Sequence, residues 1–320
     1  MARFARRNKQ PQMARLPKNQ NPRRGIWGNL GSPKKICIKV DMSIIDTCEF
    51  NEVVSKLRSF FTAKGFLEVH TQNRLSILAA CEDPNTIATY TYNNEIWPLP
   101  QTGQMWLEYE MLKHPQRAPG YFCLSTSYRQ EPNPVPGRHE VIFPMFEFEI
   151  KGGIDELLQM EKELLEFLGF GNNGVEVDYR ETAKKYNVDI LENEHEEKLQ
   201  EEHGPVVYLK NFPLESSPFW NMKLYDEDNT LSKKIDVLLW GMETIGSAER
   251  STSIQQMRDQ FYNISDASYS EKLFNLFTKP RVEKELNDFL SFEFFSRSGG
   301  GIGVTRLIRA MKLSNLLGKP

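Results

Sequence analysis

Apolar residues recur every three or four positions in several stretches of the chain, which is the spacing of amphipathic helices. One such stretch runs from Glu49 to the stop signal Gly65, and residues 154–170 (IDELLQMEKELLEFLGF) form another. A further helical stretch is predicted within 267–290. The charged segment 175–203 is predicted to be about half helical. These helices give the domain its first layer.

Aromatic and β-branched runs predict the strands. They cover residues 121–128, 142–150, 206–212 and 234–240, and the segment SFEFFSRSGGGIGVTRLIRAMKL near the end is predicted as a strand, a glycine turn and a helix. Helices and strands alternate too irregularly for a doubly wound parallel sheet. The pattern therefore predicts an α+β domain, with long antiparallel strands and helices segregated between them.

Charge is distributed unevenly along the chain. The net charge of −3 combines residues 1–40, which hold eleven Lys and Arg and no acid, with a remainder of net charge −14. We expect residues 1–40 to be a mobile basic arm and residues 41–320 to be one domain. Attraction to phosphates, as in tRNA or other RNA, an organelle presequence and a solubilising tail all remain open for the arm.

The cysteines and the hydropathy pattern restrict the compartment. Four cysteines form no CxxC pair and no zinc-like spacing with the five histidines. No run of 18 apolar residues occurs, so the sequence predicts no membrane-spanning helix. A reduced, cytoplasmic location is expected, with an organelle as the alternative if the arm is a presequence.

The first cluster of chemically useful residues surrounds a proline-rich loop. Arg129 and Glu131 precede the loop, and Arg138, His139 and Phe143 follow it. A guanidinium group binds phosphate oxygens through two parallel hydrogen bonds, and an aromatic ring offers a stacking face to a base. The cluster could therefore hold a nucleotide. The alternative is a solvated charged hairpin in which Glu131 pairs with Arg129.

Two further segments carry candidate chemistry. Residues 298–307 (SGGGIGVTRL) place four glycines before a helix that carries Arg306, an arrangement that allows a ligand to approach the backbone. A plain structural turn is the alternative. In residues 241–250 (GMETIGSAER), Glu243 on a strand edge suits Mg²⁺, and Arg250 suits a carboxylate. Its alternative is a surface ion pair between Glu249 and Arg250.

Together and in this order, these segments resemble the catalytic core of class II aminoacyl-tRNA synthetases, in the aspartate/asparagine branch. The resemblance covers about residues 49–313. It is carried by LRSFFTAKGFLEVHT for the first motif, SYRQE and GRHEVIFPMFEFE for the second, and GGGIGVTRL for the third. TGQM followed by Glu108, and ENEHEEKLQEEHGPVVYLKNFP, are similar to the asparaginyl side. The resemblance implies an antiparallel sheet of six or seven strands flanked by helices, usually in a homodimer.

The resemblance also implies roles in binding ATP. Arg129 would hold the α-phosphate, Glu131 would bind the adenine amino group, and Phe143 would stack on the adenine. Arg138 and His139 would meet the outgoing pyrophosphate.

Further roles follow from the same resemblance. Arg306 would cover the γ-phosphate or the adenine face, and with Arg129 and His139 it would be catalytic. Glu243 would bind Mg²⁺. Gln104, Glu108 and Arg250 would hold the amino acid, aspartate or asparagine.

The chain departs from the family pattern at several positions. Gln72 stands where the first motif ends in proline, and Ile142 replaces an acidic residue of the second motif. Thr305 replaces a carboxylate in the third motif, so that GGGIGVTRL is more similar to asparagine synthetase A. The residues after Arg250 do not continue the family's pattern.

Three functions remain open. Too few residues precede the first motif for the family's anticodon-binding domain, so the first hypothesis is a stand-alone asparagine synthetase. It would ligate aspartate and ammonia through a β-aspartyl adenylate with release of AMP. The second is activation of an amino acid for transfer to tRNA or another macromolecule. The third is a non-catalytic paralogue that binds RNA or a protein complex.

Overall fold

The computed structural model describes residues 45–72, 75–77, 84–216, 219–265 and 267–318. They belong to one compact unit, Ser43–Pro320. The basic segment 1–40 and its predicted mobility lie outside the described residues. No helix in the described part of the chain combines the length and the apolarity that crossing a membrane requires.

Helices form where the apolar spacing predicts them and at several places besides. They are α1 (Thr47–Ala63), α2 (Gln104–Lys113), α3 (Ile154–Leu168), α4 (Tyr179–Tyr186), α5 (Asn193–His203), α6 (Ile254–Asn263), α7 (Ser268–Phe277), α8 (Lys279–Leu290) and α9 (Val304–Leu313). Asp46 caps α1 by accepting hydrogen bonds from the backbone N–H groups of Cys48 and Glu49. The predicted helix within 267–290 is two helices, because Thr278 has a positive φ of 69° between them.

The strands are β1 (Leu67–Glu68), β2 (Thr89–Tyr92), β3 (Glu95–Pro98), β4 (Gly120–Tyr128), β5 (Ile142–Lys151), β6 (Val175–Asp178), β7 (Val206–Pro213), β8 (Leu231–Leu239), β9 (Glu243–Arg250) and β10 (Arg297–Gly303). Eight of them form a sheet in the order β1-β4-β5-β10-β9-β8-β7-β6. Only the β1–β4 and β6–β7 pairs are parallel. The α+β prediction is confirmed, but the sheet has eight strands with two parallel pairs rather than the implied six or seven antiparallel strands. β2 and β3 form a separate hairpin.

One face of the large sheet packs against α1, α3 and α9. Its centre is a group of phenylalanines, in which Phe61 of α1 stacks on Phe146 and Phe148 of β5 at ring-centroid distances of 5.3 and 5.2 Å. β5 contributes every second residue to this core, as the pleat requires. The alternate positions of β5, among them Glu147 and Glu149, therefore face the opposite side, which we call the polar face.

The glycine run was expected to form a turn, and this expectation is wrong. Gly299, Gly300 and Gly301 lie inside β10, a central strand paired with β5 and β9. A Cβ on Gly299 would lie 2.3 Å from the carbonyl oxygen of Phe148, and one on Gly300 would lie 2.7 Å from that of Gly246. Glycine is needed here because the neighbouring backbones leave no space for a side chain.

Candidate active site

A cavity of about 320 Å³ opens on the polar face, beside β10 and the N-terminus of α9. It brings together all the side chains that the sequence assigned to ATP and to the metal. They are Arg129, Glu131, Arg138, His139, Phe143, Glu243 and Arg306. These residues span more than half of the chain, so the fold itself assembles the cluster.

The β4–β5 end of the cavity carries the stacking pair. The guanidinium carbon of Arg129 lies 5.6 Å from the centre of the Phe143 ring. The Nε atom of Arg129 is buried and has no hydrogen-bond partner among the described residues. A buried donor without an acceptor is costly, so this end of the cavity favours an anionic ligand.

Glu131 and His139 form a second pair at the loop between β4 and β5. The carboxylate oxygen Oε2 of Glu131 lies 3.3 Å from Nδ1 of His139. The alternative in which Glu131 pairs with Arg129 is therefore wrong for the described residues. Glu131 also lies beyond the end of β4 at Tyr128, so it is placed by the loop rather than by a strand.

Arg138 and Arg306 also line the cavity. Arg138 pairs with Glu196 of α5 and donates to the carbonyl of Gly241 at 3.4 Å. Arg306 donates to the carbonyl oxygens of Glu243 at 2.7 Å and of Arg138 at 3.2 Å. The Arg306 guanidinium is thus held by two backbone carbonyls, and that of Arg138 by Glu196 of α5 and by the carbonyl of Gly241. Such an arrangement suits the charge of a polyphosphate.

Glu243 begins β9, an inner strand of the sheet rather than an edge strand. Burial favours its neutral form, but Lys234, Arg306, Arg129 and Arg138 outweigh this effect and hold its pKa below the usual range. Its carboxylate is therefore ionised at neutral pH.

Asp236 of β8 lies beside Glu243 on the polar face and was missed by the sequence analysis. Both carboxylates approach Gly246: a Cβ there would lie 2.8 Å from Glu243 Oε1 and 3.5 Å from Asp236 Oδ1. Oδ1 is buried without a hydrogen-bond partner, and Oδ2 pairs with Lys234. Burial raises the pKa of Asp236 to about 7. An acid in the otherwise apolar run IDVLLW was the available signal, because buried acids are rare.

The donor set fits Mg²⁺. No group of three or more His, Cys, Asp or Glu side chains suited to a metal occurs in the described ranges. Mg²⁺, however, is commonly bound by one or two carboxylates together with substrate phosphates. The carboxylate of Glu243 and the unpartnered Oδ1 of Asp236 would provide two such carboxylate ligands.

Gln104 and Glu108, assigned by the sequence to the amino acid, do not line the cavity. They lie on α2 in a buried network on the polar face, where Glu108 is 0% exposed. Glu108 accepts hydrogen bonds from Gln104 at 2.9 Å, Asn221 at 3.0 Å and Arg297 at 2.8 Å. Although burial favours the neutral acid, Arg297 and Arg250 hold its pKa below the usual range.

Arg250 belongs to the same network. Its Nη2 donates to Glu149 at 2.7 Å and to the carbonyl of Gly299 at 2.9 Å. Glu249 instead lies 2.7 Å from Lys223, so the alternative of a Glu249–Arg250 surface pair is wrong. The network is near the cavity along β10, because Glu149 is opposite Gly299, two residues before Gly301, which lines the cavity.

Glu149 and Arg297 were not predicted as site residues from the sequence. The alternation FEFE in β5 was a signal for Glu149, because a period of two directs both acids to one face. Arg297 carried no local signal.

Comparisons with known proteins concern the domain as a whole. The profile of the family described as tRNA synthetases class II (D, K and N) matches residues 48–316. No curated protein sequence matches the chain. Several solved structures share the fold.

An asparaginyl-tRNA synthetase from Pyrococcus horikoshii, complexed with asparaginyl-adenylate, superposes with a TM-score of 0.67 at 18% identity, over 82% of this chain and 64% of the other. One from Entamoeba histolytica, also with asparaginyl-adenylate, gives 0.65 at 17% identity, over 82% and 62%. An aspartyl-tRNA synthetase from the same organism gives 0.63 at 17% identity, over 82% and 54%. The chain thus spans less than two thirds of each.

Proposed function

Because the chain belongs to the class II tRNA synthetase family (D, K and N), we propose that it is an AMP-forming ligase that activates an amino acid as its adenylate. The substrates would be ATP and either aspartate or asparagine. The observation that carries the proposal is the assembly of Arg129, Arg138, Arg306 and Phe143 around one cavity. Three guanidinium groups beside an aromatic ring suit a nucleotide with several phosphates.

The reaction needs positioning and cations rather than covalent help from the protein. A carboxylate oxygen of the amino acid attacks the α-phosphorus, a new P–O bond forms, and the bond to pyrophosphate breaks. Arg129 would neutralise the charge that develops on the α-phosphate. Arg138, His139 and Arg306 would receive the leaving pyrophosphate, while Glu131 and Phe143 hold the adenine.

Mg²⁺ is part of the proposal, with Glu243 and Asp236 as its protein ligands. When bound, it would neutralise phosphate charge. Gln104, Glu108 and Arg250 would hold the amino acid at the adjoining network, where Arg250 supplies positive charge.

For the acceptor, we propose ammonia, with aspartate as the activated amino acid. Nitrogen would attack the β-acyl carbon of the adenylate, AMP would leave, and asparagine would form with loss of a proton. The support is the likeness of GGGIGVTRL to asparagine synthetase A. Water must be excluded from the mixed anhydride during this step. The protein would act as a homodimer in the cytoplasm, or in an organelle if residues 1–40 are a presequence.

A second candidate function is transfer of the activated amino acid to tRNA. It is favoured by the asparaginyl-tRNA synthetases that share the fold over 82% of this chain. The basic segment 1–40 would then supply electrostatic attraction to the nucleic acid. A non-catalytic role in RNA or complex binding is the third candidate.

The test is amino-acid-dependent formation of AMP from ATP and Mg²⁺, with aspartate or asparagine and with ammonia, tRNA or neither. Free asparagine formed only from aspartate and ammonia supports the synthetase, and charged tRNA supports the second candidate. Arg129→Ala should abolish AMP formation. Arg58→Ala, which removes an exposed arginine paired with Glu68, is the matched control. Absence of AMP under every condition, with a folded protein, contradicts the enzymatic proposals.

A further inference from the structure

Arg309 is a cavity residue to which neither the sequence motifs nor the family pattern gave a role. It lies on α9, one turn after Arg306, and lines the same cavity. Residues three positions apart on a helix share a face, so Arg306 and Arg309 both face the cavity. The charged groups that act on Arg309 are Arg138, Arg306 and Glu197 of α5.

Arg309 differs from its two neighbours in having no acidic partner. Arg138 pairs with Glu196, and Arg306 lies 3.6 Å from a carboxylate oxygen of Glu243. Within the described residues, no carboxylate lies within ion-pair distance of Arg309. Its Nη1 and Nη2 atoms both donate to the carbonyl oxygen of Trp240 at 3.5 Å, which is long for a hydrogen bond.

The surroundings of Arg309 oppose its charge when the cavity holds no ligand. The residue is half-buried, and desolvation together with Arg138 and Arg306 lowers its pKa from the usual value. The Glu197 carboxylate opposes this lowering of the pKa by longer-range attraction, without forming an ion pair with Arg309. A guanidinium group held among like charges without a counter-ion is unfavourable unless an anion binds there. An arginine with a purely structural role would be expected to have an acidic partner.

We propose that Arg309 binds the terminal phosphates of ATP and the pyrophosphate released from it, as a third guanidinium group beside Arg138 and Arg306. The inference rests on the proposed nucleotide-binding function and names a further residue for it. Arg309 would contact the β- or γ-phosphate, because the cations that act on it are Arg138 and Arg306, the residues proposed to receive the pyrophosphate. A bound phosphate group would offset the repulsion of the Arg309 guanidinium group by Arg138 and Arg306, which is present in the free protein.

The test compares Arg309→Met with Lys312→Met. Both substitutions remove one positive charge from α9, but Lys312 pairs with Glu49 and does not line the cavity. Calorimetric titration would measure the affinity of each protein for inorganic pyrophosphate, ATP and AMP in Mg²⁺ buffer. We expect Arg309→Met to weaken binding of pyrophosphate and ATP about tenfold or more, because it removes a charged hydrogen bond. AMP binding should stay within about twofold.

Thermal unfolding gives an independent measurement. The Arg309→Met protein without ligand should unfold at the same temperature as the wild type or higher, because a repelled charge is removed. Its stabilisation by pyrophosphate should be smaller. Arg309→Lys keeps the charge and should retain more of this stabilisation than Arg309→Met.

Two results would overturn the inference. One is pyrophosphate affinity of Arg309→Met within about twofold of the wild type. The other is a loss of AMP binding equal to the loss of pyrophosphate binding, together with a lower unfolding temperature, which would show a structural role. Pyrophosphate binding needs no amino acid and no turnover. A wild type that binds pyrophosphate but forms no AMP would therefore contradict the proposed function while the role of Arg309 stands.

Discussion

Glu161 is a carboxylic acid on the core-facing side of α3. It is 0% exposed, and neither carboxyl oxygen makes a well-formed hydrogen bond among the described residues, although the Ser247 hydroxyl is close enough to favour the ionised form weakly. Burial, with a contribution from Asp236, raises its pKa from 4.5 to about 8. The folded protein therefore keeps this group neutral at pH 7, whereas the unfolded chain ionises it.

This difference predicts a dependence of stability on pH. Because the pKa of Glu161 is raised in the folded state, its contribution to stability is fully present below pH 4.5 and is lost as the pH rises towards 8. The side chain in Glu161→Gln cannot ionise. Between pH 4.5 and 7, the free energy of unfolding of this variant should therefore increase relative to that of the wild type by up to about 3 kcal/mol. Urea unfolding at several pH values measures this gain.

Glu163→Gln on the same helix is the control. Glu163 pairs with Lys64 at the surface, and the hydrogen bond lowers its pKa. That substitution should lose stability relative to the wild type as the pH rises through the carboxyl range, the opposite sign. Parallel pH profiles for Glu161→Gln and the wild type would contradict the assignment of a neutral Glu161.

At the scale of elements, β10 is specified by its neighbours rather than by its own sequence. A Cβ on Gly300 would lie 2.6 Å from Cβ of Ser247 and 2.7 Å from the carbonyl oxygen of Gly246. On Gly303, where β10 meets α9, the nearest atom would be in the flexible side chain of Arg306 at 3.5 Å. The two glycines therefore differ in what surrounds them.

Gly300→Ala should lower the free energy of unfolding by about 2 kcal/mol or more, because strand backbone cannot move aside as a side chain can. Gly303→Ala should cost about 1 kcal/mol or less, since no atom crowds the new methyl group. Urea unfolding of both variants measures the difference. Equal losses would show that the packing of β9 against β10 does not require glycine.

The sequence predicted those elements that carry their own periodicity. The spacing of Val53, Leu57 and Phe61 gave α1, and the run IFPMFEFEI gave β5, because each pattern arises from burial of a single face. The glycine strand was missed because glycine alone favours a turn, and the backbones that require it lie about 50 and 150 residues away. The cavity residues were identified through their family resemblance, whereas their ion-pair partners depended on the tertiary fold.

At the scale of the whole molecule, charge divides the chain into two parts. Residues 1–40 carry eleven Lys and Arg without an acid, and the remaining residues carry a net charge of −14. A body of that net charge repels nucleic acid at long range, so we expect the basic segment to supply most of any attraction to tRNA.

Deletion of residues 1–40 should therefore reduce tRNA affinity at low salt by about tenfold or more, and it should flatten the dependence on salt concentration. Affinity for ATP should be unchanged, because every residue predicted to bind ATP lies between Arg129 and Arg309. Filter binding at several salt concentrations, with calorimetry for ATP, measures both. A truncated protein with full tRNA affinity would show that the domain itself binds the nucleic acid.

The glycines of β10 also bear on how the specificity of this site can change. Where Gly301 and Gly303 line the cavity, the surface offered to a ligand is peptide backbone. A point mutation replaces a side chain and leaves the peptide groups as they were. The peptide groups here stay the same unless a side chain is added over them. A chain evolving towards another substrate would therefore change the walls of the cavity, above all the loop between β4 and β5 and the cavity-lining positions of α9.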